Sequence, residues 1–166
     1  MTAEPYRLTL ADDTTWGLSA PSSVQPWLEA LARIMELPAL GSSIPTHHLR
    51  FVERSSAGLA AVSRGEGWKR LALGTAMRVW WRDGGEEALV EVDPGLLEHP
   101  EIRVIAMWTA LRPIQFDAIA AGGGPFHATL AAHKGRGVLI AAPAGMGKST
   151  CYRRLPPPWE PLCDDY

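Results

Sequence analysis

The chain has little cysteine, little excess charge and no long apolar run, and each shortage excludes a class of protein. Its two cysteines, Cys151 and Cys163, are too few for a disulfide-rich secreted scaffold, and we expect free thiols, with a disulfide between them as the alternative. A net charge of −2 provides no basic surface for nucleic acid. No apolar stretch approaches the ~20 residues of a membrane span. Residues 1–10 lack the basic and apolar regions of a signal peptide. We therefore expect a cytoplasmic protein whose partners include neither nucleic acid nor a membrane.

What the chain does contain is an ordinary globular composition. Hydrophobic residues make up 46% and charged residues 20% of 166 residues, which is enough to bury a core without disulfides. The run Gly122-Gly123-Gly124-Pro125 is a clear break in the hydrophobic pattern. We therefore divide the sequence into an N-terminal strand-and-helix region, residues 1–121, and a second segment, residues 125–166.

The hydrophobic pattern of the first region predicts both strands and helices. Ser22-Ser23 has the residue types of a helix start, and the apolar residues that follow recur at helical spacing until Pro38. Pro100 begins a second predicted helix, which ends before Pro113. The apolar side of that helix comprises Ile102, Ile105, Ala106 and Trp108. Further patterns predict strands at residues 6–10, 49–53, 71–73, 77–82 and 88–92, and a short helix at residues 117–121.

The pattern of the second region predicts a hairpin, a helix and a last short strand. The predicted hairpin strands are residues 126–132 and 137–141, joined by a tight turn. The second of these strands is apolar on both faces, so we expect it to lie centrally in a sheet. A helix over residues 147–154 and a strand over residues 161–163 follow it.

The loop between that strand and that helix has the Walker A pattern, Ala-Pro-Ala-Gly-Met-Gly-Lys-Ser, with alanine in the first position. Glycine at positions 145 and 147 permits backbone conformations in which successive N–H groups point at phosphate oxygens. Lys148 would place its charge between the β- and γ-phosphates, and Ser149 would offer its hydroxyl to Mg²⁺. The alternative is a glycine-rich turn without a ligand. We predict that the loop binds ATP or GTP with Mg²⁺ through Ala142, Pro143, Ala144, Gly145, Met146, Gly147, Lys148, Ser149 and Thr150.

Two further features complete the candidate site. Asp164 and Asp165 follow the last predicted strand. If that strand lies beside the strand entering the loop, its carboxyl end reaches the same edge of the sheet, where α/β proteins bind ligands. Carboxylates there can hold magnesium or accept a proton from an attacking hydroxyl. A solvated acidic terminus is the alternative. His127 lies on the first hairpin strand, where a single histidine is more often structural than catalytic.

These residues resemble a known family. Residues 126–130, 135–140, 145–149 and 162–165 look like the catalytic core of the HPr kinase/phosphorylase family, in which a histidine-bearing strand forms a hairpin with the strand entering the P-loop and an aspartate pair follows the P-loop helix. The resemblance covers residues 125–166. The chain as a whole looks more like the HPr-kinase-related proteins encoded with peptide-modification cassettes, such as the SynChlorMet cassette protein ScmC group.

The resemblance implies a fold, an activity and roles for the site residues. The expected fold is α/β, a mixed β-sheet with a β-hairpin leading into a P-loop and flanking helices, that is, an HPr-kinase-like core truncated at its C-terminus. His127, Asp164 and Asp165 would be catalytic residues, and Ser149 with Asp164 would hold the metal. The family phosphorylates a serine hydroxyl on a small protein and forms hexamers, which implies a peptide or small-protein acceptor and a homo-oligomer.

Three functions follow as hypotheses. The first is a nucleotide-dependent kinase that phosphorylates a hydroxyl on a peptide or small protein. The second is a non-catalytic nucleotide-binding accessory or scaffold protein of a peptide-modification system. The third is a generic P-loop NTPase, for which the sequence offers no water-positioning glutamine and no arginine finger. Whether the chain is an enzyme depends on whether its active site is complete.

Overall fold

The chain forms two compact units, Met1–Gly123 and Gly124–Tyr166, which we call unit 1 and unit 2. The structure is a computed structural model, and it describes residues 5–54, 66–75, 77–95, 99–125, 128–143 and 145–163. The boundary between the units falls within the glycine run at residues 122–124.

Unit 1 is built on a six-stranded sheet in the order β1-β2-β3-β6-β5-β4. The pairs β2–β3 and β3–β6 are parallel and the other pairs are antiparallel, which confirms the predicted α/β class with a mixed sheet. The predicted strands of this region are present, and β2 extends the first of them into a hairpin. The strands are β1 Tyr6–Thr9, β2 Thr15–Ser19, β3 His47–Glu53, β4 Lys69–Leu73, β5 Met77–Trp81 and β6 Glu87–Val92.

The helix α1, Gln25–Ile34, connects the parallel strands β2 and β3, because a parallel pair needs a crossover connection. Its apolar face buries Leu28 completely, in one cluster with side chains from the sheet. The helix begins just after Ser22-Ser23, as predicted, with Val24 as its N-cap and no side-chain cap hydrogen bond. The buried cluster includes Trp16, Leu18, Val24, Trp27, Leu28, Leu31, Leu49, Phe51, Met77, Val79, Val90 and Val92.

The helices α2, Pro100–Ala110, and α3, Arg112–Ala120, correct two predictions. The apolar side predicted for α2 is confirmed at Ala106, which is fully buried, and wrong at Ile105 and Trp108, which are 53% and 46% exposed. Among the described side chains of α2, the buried ones are Ala106, Met107 and Ala110. Pro113 lies in the first turn of α3, a position that suits proline, so the second helix begins earlier than residues 117–121.

The described part of unit 2 contains a three-stranded antiparallel sheet in the order β8-β7-β9 and one short helix. Its elements are β7 Ala128–His133, β8 Arg136–Ala141, α4 Lys148–Arg153 and β9 Trp159–Cys163. The turn between β7 and β8 consists of Lys134 and Gly135, with φ of 53° and 72°, as in two-residue hairpins whose twist matches the strands. The predicted hairpin is therefore present, but in this separate antiparallel sheet and not in the mixed sheet.

The position of β8 differs from the prediction of a central strand. It is an edge strand of the three-stranded sheet, and Leu139 in its middle is 55% exposed. An apolar run on both faces is typical of buried strands, yet β9 pairs with β7 and leaves the other side of β8 without a neighbouring strand among the described residues.

Candidate functional site

A glycine loop, residues 142–147, joins the end of β8 to the start of α4. Gly145 and Gly147 have φ of 79° and 86°, in the left-handed region that other residues rarely adopt. A Cβ atom added at either glycine would meet no atom within 4 Å. The backbone conformation, and not crowding, therefore requires glycine here, and the space next to the loop is open.

Lys148, the first residue of α4, closes this loop. Its side chain is buried, with 8% exposed, and its Nζ atom donates a hydrogen bond of 3.0 Å to the carbonyl oxygen of Ala142. This bond joins the two ends of the loop and keeps the ammonium group beside it. The structure thus places a lysine ammonium at the loop that the sequence analysis predicted to bind phosphate.

The remaining described residues of the loop differ in exposure. Ser149 is partly exposed and Thr150 exposed, so both hydroxyl groups lie near solvent at the first turn of α4. Met146 is 71% exposed, which places an apolar side chain on the surface of the loop. Cys151 is a free, exposed thiol, as predicted. Ala144 lies outside the described residues.

The strand register places three chain segments at one edge of the sheet of unit 2. Ala128 at the start of β7 pairs with Ala141, the last residue before the glycine loop. Leu130 pairs with Cys163 at the end of β9. Since β8 and β9 both run antiparallel to β7, they are parallel to each other and end at the same edge. The expectation that the last strand lies beside the loop strand is wrong, because β7 separates them, but the shared edge remains.

The three predicted catalytic residues lie next to this edge in the sequence. His127 precedes Ala128, and Asp164 and Asp165 follow Cys163. All three lie outside the described residues. Within the described ranges, no group of three or more His, Cys, Asp or Glu side chains forms a metal cluster. No described helix is long and apolar enough to cross a membrane.

Unit 1 contains a cluster to which the sequence analysis assigned no role. The rings of Trp16 and His47 stack with centroids 4.8 Å apart, and His47 Nε2 lies 3.9 Å from Asp117 Oδ2. A cavity of about 70 Å³ lies beside them, with Trp81 and Phe116 in its wall. These residues come from distant parts of the chain, so no local sequence pattern indicates that they meet.

Comparison with known proteins gives one match. No curated protein and no solved structure matches the chain. Residues 88–166 match the family model of the SynChlorMet cassette protein ScmC. From β6 onward, the chain is therefore similar to the ScmC group, the more specific of the two resemblances seen in the sequence.

Proposed function

We propose that the chain is a nucleotide-binding protein of the HPr-kinase-like type, which holds ATP or GTP with Mg²⁺ at residues 142–150 and phosphorylates a hydroxyl on a peptide or small protein. The observation that carries the proposal is the glycine loop after β8. It has two left-handed glycines and a buried lysine whose ammonium group donates a hydrogen bond to the first residue of the loop.

The loop suits a phosphate group for three reasons. Left-handed glycines let consecutive N–H groups point toward one anion. The open space beside Gly145 and Gly147 leaves room for phosphate oxygens close to the backbone. The hydrogen bond from Lys148 to Ala142 keeps the ammonium group beside the loop. Its positive charge is therefore already in place when a phosphate group binds.

In this proposal each residue of the site has a separate role in phosphoryl transfer. Lys148 and the loop amides stabilise the charge of the transferring group. Ser149 and Asp164 would hold magnesium, which supplies charge neutralisation at the phosphates when bound. One aspartate of the pair at 164–165 accepts the proton of the acceptor hydroxyl. The hydroxyl oxygen then forms the new bond to phosphorus as the bond to the nucleoside diphosphate breaks, and His127 orients these groups.

Calorimetric titration of the chain with Mg–ATP and Mg–GTP tests the first step. We expect saturable binding by the wild type and loss of binding in Lys148→Ala. Lys134→Ala is the matched control, since Lys134 lies in the turn at the opposite end of the same hairpin and should leave the affinity unchanged. Equal affinity in all three proteins would show that the nucleotide does not use the glycine loop.

A second candidate function is a non-catalytic, nucleotide-binding accessory protein of a peptide-modification system. The similarity of residues 88–166 to the SynChlorMet cassette protein ScmC family favours it. The two candidates differ in turnover. The kinase is supported if the chain transfers labelled γ-phosphate to a peptide or protein acceptor and if this transfer is lost in Asp164→Asn or Asp165→Asn. Nucleotide binding without any transfer, retained in both variants, supports the accessory protein.

A further inference from the structure

A second candidate binding site lies in unit 1, away from the residues assigned to the nucleotide. It is a groove of about 480 Å³ between α1, the residues just before α1 and the start of α2, which we call the α1 groove. Trp27, Pro26 and Pro94 contribute apolar surface to it, and Ser23 contributes a hydroxyl. A volume in this range is typical of sites for ligands much larger than a single ion.

The described lining residues of the α1 groove carry charge of one sign. They include Arg33 and Arg103 and no Asp or Glu. Both arginines are exposed, and within the described residues neither has a carboxylate within ion-pair distance. A guanidinium group carries five N–H donors and no acceptor, so the polar side of the groove favours an anion.

The position of Arg103 strengthens this interpretation. It is the fourth residue of α2, and its backbone N–H bonds to the carbonyl oxygen of His99. The first turn of a helix disfavours a positive side chain, because the N–H ends of the peptide dipoles point there. Arg33 in the last turn of α1 is favourable by the same rule, so its position alone does not point to a ligand.

The apolar wall of the groove is held in place by the core. Trp27 is only 6% exposed, and its ring lies against Phe51 with centroids 5.0 Å apart. The ring therefore supports the groove from below, while Pro26 and Pro94 supply its exposed apolar surface; a fixed surface of this kind costs little conformational entropy when a ligand binds to it. The groove therefore combines a rigid apolar surface with two guanidinium groups that have room to move.

We propose that the α1 groove binds an acidic segment of a peptide or protein. Two carboxylates of that segment pair with Arg33 and Arg103, and an apolar side chain between them lies on Pro26 and Pro94, beside the small exposed edge of Trp27. A single exposed ion pair contributes little, so a lone small anion gains too little here, whereas an extended acidic ligand gains two pairs and apolar contact. The site is separate from the glycine loop and does not depend on the proposed nucleotide.

Titration of the full chain with a capped pentapeptide that has glutamates at its second and fourth positions and leucine between them tests the proposal. The readout is the indole N–H resonance of Trp27, identified by its loss in Trp27→Phe. We expect saturable shifts that weaken between low and high salt. The same peptide with glutamine for glutamate should bind at least tenfold more weakly.

Variants of the chain separate the proposed contacts from unspecific attraction. Arg33→Gln and Arg103→Gln should each weaken peptide binding about three- to fivefold, and the double variant at least tenfold. Arg136→Gln, the same change of charge in the hairpin of unit 2, should have no effect, and Lys148→Ala should bind the peptide as the wild type does.

Two results would overturn the proposal. One is undiminished peptide binding by the Arg33→Gln, Arg103→Gln double variant. The other is inorganic phosphate that shifts the same resonances with the affinity of the peptide, which would make the groove a simple anion site. Neither result bears on nucleotide binding, which the Lys148→Ala titration decides separately.

Discussion

Gly147 is the single residue on which the shape of the glycine loop depends most. Its φ of 86° and ψ of 21° are left-handed, and a side chain there would cost roughly 1–2 kcal/mol of backbone strain without any clash. Since each 1.4 kcal/mol is about a factor of ten in affinity, we expect Gly147→Ala to weaken Mg–ATP binding about five- to thirtyfold in a calorimetric titration.

Gly137 provides the matched control for that substitution. It lies in β8 of the same hairpin, and an added Cβ would make an ordinary contact of 3.7 Å with Leu130. Alanine is favoured over glycine in a strand interior, so Gly137→Ala should bind nucleotide normally and keep or raise the melting temperature. Equal losses of affinity in both variants would show that the left-handed backbone at Gly147 is not what the nucleotide requires.

The turn between β1 and β2 lowers the pKa of the Asp12 carboxyl. The backbone N–H of Thr14 donates to Asp12 Oδ1 at 3.0 Å, and this bond, with a smaller contribution from the Thr14 side chain, lowers the pKa of the Asp12 carboxyl below its ordinary value. A lowered pKa means that the stabilisation is present above the ordinary aspartate value, about 3.9, and is lost as the pH falls through the folded value.

A carboxyl-detected NMR titration of Asp12 checks this effect. We expect Thr14→Val, which removes the hydroxyl and keeps the N–H donor, to leave the pKa of Asp12 still lowered. A return to the ordinary value in Thr14→Val would mean that the side chain, and not the backbone, makes the stabilising bond.

At the scale of elements, α1 holds unit 1 together through one buried face. Leu28 is fully buried within the main cluster, so Leu28→Ala leaves a cavity and should reduce the free energy of unfolding by about 2–5 kcal/mol. Ile34 on the same helix is 63% exposed, and Ile34→Ala should change the free energy of unfolding by no more than about 0.5 kcal/mol. Urea unfolding followed by circular dichroism measures both, and similar losses would show that α1 does not pack as described.

The strand β8 has an exposed apolar edge, which is a common cause of aggregation. We expect Leu139→Lys to reduce light scattering at high protein concentration and to leave the melting temperature nearly unchanged, because Leu139 is more than half exposed. Ala131→Lys, on the fully buried face of β7, should instead unfold unit 2. Unchanged scattering in Leu139→Lys would place the cause of any aggregation elsewhere.

The comparison of sequence with structure shows which elements a local pattern can predict. The tight turn between β7 and β8 and the strands β1, β5 and β6 depend on residue types that are neighbours in the chain, so their prediction succeeds. The edge position of β8 and the buried face of α2 depend on which distant segments pack there, and a single sequence does not contain that information. The same reason explains why the meeting of Trp16, His47 and Asp117 could not be predicted.

For the candidate site, the sequence predicted the local part and not the pairing. Strand, glycines and lysine are consecutive, and their geometry follows from residue type. The pairing of β9 with β7 required knowledge of how the sheet assembles. The shared edge still resulted, because two strands antiparallel to the same neighbour must run in the same direction.

At the scale of the whole molecule, the two units differ in how much apolar surface they bury. The main hydrophobic cluster comes from unit 1. In the described part of unit 2, the buried side chains are Thr129, Ala131 and Lys148. A unit this small buries too little apolar surface to be strongly stable by itself. We therefore expect backbone amides in β7 and β8 to exchange with deuterium much faster than those in β3 and β6.

Nucleotide binding at the glycine loop should change that difference, because a ligand that binds only the folded state stabilises it by RT ln(1 + [L]/Kd). At a hundred times Kd this is about 2.7 kcal/mol, so Mg–ATP should slow exchange in β7 and β8 up to about a hundredfold and leave β3 and β6 unchanged. Lys148→Ala should exchange like the wild type without nucleotide and show no slowing when Mg–ATP is added. If that variant gains the same protection, the nucleotide stabilises unit 2 from a site other than the glycine loop; if β7 and β8 are already as protected as β3 without nucleotide, unit 2 is stable by itself.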